Sequence, residues 1–527
     1  MTRRRRPAGA PGALATIAAL VALASLGLAL TGPVPAAVGA ADGPGTAGSS
    51  AARLDARLPA LMERYDVPGV GVAVVRDGEL AWSAAYGHAD AARDRPMTTD
   101  RVFRTESISK PVTAWAVMRL VEQGRIGLDD PVAQHLTSWE LPGPPGWSDD
   151  VTVRRLLSHS SGMALGSIGE QYPPTGDIPS LAEHLGRQAR LVDEPGAGFR
   201  YSNPGFDVLE LLIEDVTGRD FAGHMAEEVL EPLGMASSSF AWSEELAGAL
   251  ASGHDLRGDP VDPYVYPSMA SGGLLATVDD VGRFVAAGLA DPTDRGGAVL
   301  SPRGVGELAT PTVDMAGVYR AVADAHGLGY FVETMPDGRD AVFYGGQGNG
   351  WLTHLHAVPA TGDGIVVLTN SQRSWPLIAH MLRDWTDARG LPSVGMSRIV
   401  AATTGLWVVI GLIAALSVGQ AWRVARRLRR REGRPAPPSR AGAARRAVAG
   451  GLAVGVTAAL VWAVTRDYLF VTSVFPVAAP WLGVALAGAA VALALTALLP
   501  APRIAPTAAS RPSRPSRPSA SGATASS

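Results

Sequence analysis

One lysine, Lys110, stands among 45 arginines, and it lies three residues after a serine in Ser107-Ile108-Ser109-Lys110. Arginine does not release its proton near neutral pH, whereas a lysine taken out of water can, so a lone lysine in such a chain points to proton transfer. On a helix, positions i and i+3 share a face, which sets the amine beside the serine hydroxyl. Pro111 suits the first helical turn and places Ser107 near the helix N-terminus, where a free backbone N–H can stabilise an oxyanion. This is the chemistry of an activated serine nucleophile. The chain contains no cysteine, which removes disulfides, thiolate catalysis and cysteine-held metals from consideration.

Two further segments could complete such a site. Tyr201-Ser202-Asn203 follows Phe199-Arg200 and precedes a helical pattern, and Gly345-Gly346-Gln347-Gly348-Asn349-Gly350-Trp351 lies between two strand patterns. The elements that must hold them are readable from periodicity. Gly71 to Val75 and Leu80 to Tyr86 flank an Asp77-Gly78 turn and read as a hairpin. Leu328 to Glu333, Ala341 to Tyr344, Leu352 to Ala357 and Gly364 to Thr369 read as strands, and Pro376 to Arg389 as a closing helix. Helical patterns such as Pro111 to Gln123 and Asp207 to Thr217 fill the stretch between. An α+β domain follows, its sheet built from both ends of the segment and a helical insertion between them.

With these motifs in this order, residues 51–391 resemble the serine β-lactamase and penicillin-binding family, especially its class C, D,D-carboxypeptidase and esterase branch. Arg104-Thr105-Glu106-Ser107, Leu156 to Gly162, Glu231-Pro232-Leu233-Gly234-Met235 and Gly272-Gly273-Leu274 carry the same likeness. The resemblance implies a β-lactamase/transpeptidase-like fold, an antiparallel sheet flanked by helices plus a helical subdomain, with no cofactor and no metal. It implies Ser107 as nucleophile, Lys110 and Tyr201 exchanging its proton, and Asn203 holding Lys110 and the substrate amide. The N–H groups of Ser107 and Gln347 would form the oxyanion hole. A tyrosine acting near neutral pH would need the Lys110 ammonium to favour its phenolate. The third motif departs from the family. Where a Lys or His, then Thr, Ser or Gly, then Gly is usual, this chain has Tyr344-Gly345-Gly346, so the cation that would hold a substrate carboxylate is missing. Uncharged esters or amides fit that change better than β-lactams or D-Ala peptides.

Other polar residues have plainer readings. His354 and His356 share a strand face but lack a third metal ligand, and read as packing residues rather than a metal pair or a substitute cation. His159 reads as a turn residue, Glu106 as a local partner, Asp129-Asp130-Pro131 as a loop, and Trp351 as either substrate wall or sheet closure.

Charge and hydropathy divide the chain. Between Ala41 and Met396 there are 26 basic and 47 acidic residues, an excess of acid that argues against nucleic-acid binding. Arg3 to Arg6, the apolar run from Ala13 to Leu30 and the small residues to Ala40 form a signal for export over residues 1–40. Residues 41–50 read as a flexible leader. After the hydrolase-like segment, 399–421, 447–465 and 480–499 are uncharged and about the 20 residues a bilayer crossing needs. The arginine-rich loop 422–446 and the basic, disordered tail 500–527 would face the cytoplasm, leaving the acidic domain outside a multi-pass cell-membrane protein. The expected function is a membrane-tethered serine hydrolase acting through an acyl-enzyme on a small-molecule or peptide amide or ester, cell-wall peptides included. The alternative is a catalytically weak receptor of the same fold that signals through its helices. A transporter fits poorly, because the three spans carry no buried charge.

Overall fold

A computed structural model describes residues 47–167, 170–289, 299–429, 440–465 and 470–499. The export signal, most of the leader, the centre of the basic loop and the tail lie outside the described residues. The first helix, α1 (Ala47–Tyr65), begins inside the segment read as a flexible leader.

The hairpin forms as its turn chemistry requires. Strands β1 (Gly69–Arg76) and β2 (Glu79–Asp90) are joined by Asp77 and Gly78, both at positive φ (51° and 75°), the two-residue turn whose twist matches that of the strands. A short β3 (Arg95–Pro96) extends this edge. The other strands come from the far end of the domain: β4 (Val313–Asp314), β5 (Ala325–His326), β6 (Phe331–Thr334), β7 (Asp340–Gly348), β8 (Trp351–Val358) and β9 (Asp363–Thr369). They make one nine-stranded antiparallel sheet in the order β3-β2-β1-β9-β8-β7-β6-β5-β4. The two chain ends meet at β1 and β9, where Val70 pairs with Thr369 and Val75 with Gly364.

Helices cover both faces, so the central strands are buried throughout rather than alternating. On one face Val70, Val72, Ile365 and Val367 pack against α1 and a later helix through Leu58, Leu377 and Trp385. On the other face Ala73, Val366 and Leu368 join the larger core around Trp115, Phe206 and Phe284. Three helices of this second layer matter for the site: α2 (Ser109–Glu122), α3 (Asn203–Thr217) and α4 (Val278–Leu289); the back layer adds α5 (Trp375–Arg389). Helix α2 is buried on nearly every side from Ser109 to Met118, as expected of a helix that runs through a core. Lys110 therefore sits in a medium of low polarity before any specific contact is considered.

The C-terminal region contains α6 (Arg398–Arg429), α7 (Arg440–Val464), α8 (Phe470–Val474) and α9 (Ala478–Leu498). Three of its helices, Gly395–Arg426, Gly442–Val464 and Ala478–Leu498, are long and apolar enough to cross a membrane. Residues 411–429, 440–465 and 483–499 belong to a separate compact unit, in which Gln420 donates to Thr496 at 2.7 Å and Arg446 to the Ala497 carbonyl at 2.6 Å. Within the larger compact unit, Gly395 donates its N–H to Glu333 at 2.6 Å, and Val474 of α8 joins the apolar layer of α1 and α5.

Candidate active site

The candidate nucleophile Ser107 sits on a turn fixed from several sides. Glu106 adopts φ 54°, a left-handed conformation unusual for a residue with a side chain. Its buried carboxylate holds that geometry by accepting from Tyr264 and Tyr266 hydroxyls, each at 2.8 Å, and from Arg104 Nε at 3.4 Å. The Arg104 guanidinium in turn lies 4.1 Å over the Tyr264 ring. Glu106 is thus a local partner, as its position suggested. Thr105 donates its N–H and its hydroxyl to the Leu274 carbonyl, both at 3.0 Å, and Thr353 on β8 donates to the Thr105 carbonyl at 2.7 Å. The turn enters a short 3₁₀ segment, Glu106–Ile108, and then α2.

Ser107 Oγ lies 3.0 Å from Lys110 Nζ and 3.0 Å from the Tyr201 hydroxyl. The i, i+3 spacing read from the sequence thus brings amine and hydroxyl together, and the second motif reaches them across more than ninety residues. Burial pushes Lys110 down to about 7, with Asp207 and Glu106 opposing part of that fall. Tyr201 moves the other way. Burial raises it above the ordinary phenol value, and the nearby Tyr319 adds to the rise. The expectation that the Lys110 ammonium favours a Tyr201 phenolate is therefore corrected: desolvation disfavours both charged forms, so Tyr201 stays a neutral phenol and Lys110 gives up its proton readily near pH 7.

Lys110 makes its second hydrogen bond, at 2.6 Å, to the Ser271 carbonyl, next to the Gly272-Gly273-Leu274 landmark. Sequence reasoning assigned that holding role to Asn203, which is not among the hydrogen-bond partners of Lys110. Asn203 opens α3 behind the N-cap Ser202, whose hydroxyl accepts from Gly205 N–H at 3.0 Å, and its own N–H bonds the Leu165 carbonyl.

The third motif lies on β7. Strand β6 ends its pairing at Phe343, so residues 344–348 pair only with β8 and leave an edge toward the nucleophile turn. Glycine is required twice along it. A Cβ on Gly346 would stand 2.1 Å from the Thr105 carbonyl oxygen, and one on Gly348 would stand 2.2 Å from the Glu106 carboxyl carbon. The close approach of these two backbones sets Gln347 beside the Ser107 turn. Gln372 donates to the Gly348 carbonyl at 2.8 Å and steadies the end of the strand. Gly345 faces the opposite layer, where its Cβ would meet Trp375 at 2.9 Å.

Tyr344 is fully buried, and its hydroxyl lies 3.4 Å from that of Tyr201 and 3.1 Å from His159 Nε2. His159 accepts the Ser202 N–H on Nδ1 at 3.2 Å. The residue read as a turn histidine is thus also the bridge between the second and third motifs. Its only sequence signal was a histidine amid small hydroxyl residues. Around the pair, Tyr319 and Phe331 stack on Tyr201 at 6.0 and 6.4 Å between ring centres, giving an aromatic wall.

His354 and His356 lie on the other face of β8. They are buried, 3.3 Å apart, with His356 beside Trp385 and 3.1 Å from Glu333. They are packing residues and offer the nucleophile no cation. Trp351 is buried edge-on against Phe103 and closes the sheet rather than lining the site. Asp129 pairs with Arg154 in its loop. Among the described residues there is no group of histidines and carboxylates suited to a metal ion.

The chain belongs to the β-lactamase family, whose model matches residues 54–382. It is similar to Esterase EstB of Burkholderia gladioli, 34% identical over 285 residues that make up 47% of this chain and 72% of that one. It is also similar to Penicillin-binding protein 4 of Amycolatopsis lactamdurans, 29% identical over 62% of this chain and 87% of the relative. Among solved structures, the octameric penicillin-binding protein homologue from Pyrococcus abyssi superposes with a TM-score of 0.54 at 26% identity, covering 63% of this chain and 77% of that one. The chain is accordingly a serine hydrolase of the β-lactamase, D,D-peptidase and esterase type.

Proposed function

We propose that the protein is a membrane-anchored, outward-facing hydrolase that cleaves an uncharged ester or amide through an acyl-enzyme on Ser107. The observation that carries this reading is the convergence of Lys110 Nζ and the Tyr201 hydroxyl on Ser107 Oγ, each at 3.0 Å. Neutral Lys110 takes the Ser107 proton as Oγ attacks the carbonyl carbon. The N–H groups of Ser107 and Gln347 receive the negative oxygen that forms. When the bond to the leaving group breaks, that group takes the Tyr201 proton and the Lys110 ammonium restores it. Water then repeats the sequence with Ser107 as leaving group, releasing the acid. Asn203, at the start of α3, is assigned to the substrate amide or ester carbonyl side of the cleft.

The choice of an uncharged substrate rests on the third motif. Tyr344 and Gly346 offer a phenol and a bare backbone where a carboxylate would need a cation, and Tyr319 and Phe331 add apolar surface. Esterase EstB, by its name, acts on esters, which agrees with this preference. The membrane reading is supported by the three apolar helices. It is further supported by α8, which lies between the second and third of them and packs against the hydrolase domain, as a loop on the same side of a bilayer would. Short links of this kind would hold the site near the outer leaflet, within reach of cell-wall peptides or lipid-linked esters.

The test is turnover by the full-length chain in detergent of a neutral ester, a labelled penicillin and a D-Ala-D-Ala peptide, each beside Ser107→Ala. The expected order of kcat/KM places the neutral ester first, and every activity is lost in the variant. A penicillin or D-Ala peptide preferred over the ester would overturn the substrate class.

A further inference from the structure

The hydrogen bonds that reach Tyr201 from behind have a direction. Ser202 presents a backbone N–H, which can only donate, to His159 Nδ1 at 3.2 Å. Nδ1 must then carry a lone pair, and the imidazole proton sits on Nε2. Nothing near the ring favours a second proton. His159 is fully buried against Phe199, Phe206, Tyr201 and His326, and burial holds it well below the ordinary imidazole range, with His326 and Lys110 lowering it further. The neutral Nε2–H therefore donates to the Tyr344 oxygen at 3.1 Å. Having accepted there, Tyr344 turns its own O–H to the Tyr201 oxygen, 3.4 Å away. Tyr201 in turn donates to Ser107 Oγ, which also lies 3.0 Å from Lys110 Nζ. His159 holds φ 55°, and its carbonyl accepts the Arg200 N–H at 2.7 Å, which ties its backbone to the segment that delivers Tyr201.

We propose that His159 and Tyr344 form a neutral, one-directional donor relay ending on the Tyr201 oxygen, which occupies the third-motif position that lacks a cation and serves proton delivery to the leaving group. The proposal rests on the hydrolase reading above and assigns two positioning residues to it. When the acyl carbon–oxygen bond of an ester breaks, its electron pair stays with the departing oxygen, which takes the Tyr201 proton. The phenolate left behind accepts the Tyr344 O–H in a bond that is stronger once charged. The Lys110 ammonium then returns the proton. A relay of neutral donors stabilises that phenolate without drawing a substrate carboxylate into the cleft. It thereby links the tyrosine in the third motif to uncharged substrates with basic leaving groups.

The consequence is selective. A nitrophenolate leaves without a proton, whereas an alkoxide needs one. We would measure kcat/KM, which reports acylation, for the p-nitrophenyl and ethyl esters of one acid using the full-length chain, Tyr344→Phe, His159→Asn and the double variant. Asparagine is chosen because it tolerates positive φ. Tyr344→Phe should lower the ethyl-ester rate about tenfold or more beyond any loss with the nitrophenyl ester, as expected for removal of a hydrogen bond to a charged oxygen. His159→Asn should show the same selectivity, and the double variant should be no worse than the worse single one, since both remove one relay. Equal losses on the two esters, or losses that multiply, would overturn the relay. If only one variant folds, its ester ratio decides alone. Should the unaltered chain hydrolyse neither ester, the hydrolase reading itself would fail, a result distinct from turnover with an unchanged ratio.

Discussion

Replacing Lys110 by methionine should destroy activity and stabilise the fold, with a pH dependence that follows from the burial of the amine. Lys110 is fully buried, and burial lowers it from 10.5 to about 7. The unfolded chain keeps the proton up to its ordinary pKa, and the folded chain keeps it only up to about 7. Between those values the unfolded state binds more protons, so stability rises with pH across that window. Below about 7 the folded protein carries the full cost of an ammonium held away from water, about 4 to 5 kcal/mol at 1.36 kcal/mol for each tenfold change in proton affinity. Methionine removes that cost but leaves the Ser271 carbonyl without its donor, a loss of about 1 to 3 kcal/mol. The net expectation at pH 6 is a gain of about 1 to 4 kcal/mol, read as a rise of a few degrees or more in the unfolding temperature of the full-length chain. By pH 10 the gain should vanish or reverse. Fluorescence-detected thermal unfolding from pH 6 to 10 measures both. A variant no more stable than the parent at pH 6, or a difference that stays constant with pH, would refute a buried, easily deprotonated amine.

Four further outcomes follow from the same geometry. For a neutral ester, kcat/KM should rise about tenfold per pH unit below about 7 and level above it, because the base is the neutral form of Lys110. A flat profile between pH 5 and 8 would contradict that role. Lys110→Arg keeps a cation that cannot deprotonate, and should lower kcat/KM at least about a hundredfold across that range. Gly346→Ala would bring a methyl within 2.1 Å of the Thr105 carbonyl and should push β7 from the nucleophile turn, slowing fluorophosphonate labelling of Ser107 by about a hundredfold. Labelling at the parent rate would show that the strand does not close on the turn. Glu106→Gln leaves the buried Arg104 charge without its carboxylate and should destabilise the fold by about 3 to 5 kcal/mol, measured by denaturant unfolding.

Much of this was legible where the determinants are local. The Asp77-Gly78 turn, the strands around Tyr344 and Leu352, and the pairing of Ser107 with Lys110 each depend on spacing within a few residues. The antiparallel character of the sheet and the approach of Tyr201 depended instead on the family resemblance. What escaped reading depends on contacts between distant segments. The Ser271 carbonyl that holds Lys110 is a backbone atom with no residue-type signature. Tyr264 and Tyr266 meet Glu106 only after the chain has folded over nearly 160 residues. His159 looked like a turn residue because its two partners, Ser202 and Tyr344, are remote in sequence. The Lys110 and Tyr201 pair was misjudged for a related reason: the sequence brings a cation and a phenol together, but their burial decides which protons stay.

The central claim is that Ser107 becomes covalently acylated and then released. Intact-mass measurement of the full-length chain, during steady turnover of a neutral ester and after fluorophosphonate treatment, tests it most directly. One adduct per chain on Ser107 and several ester turnovers per chain are expected, and neither in Ser107→Ala. An adduct that persists in Ser107→Ala, or a folded chain that takes up neither reagent, would contradict it.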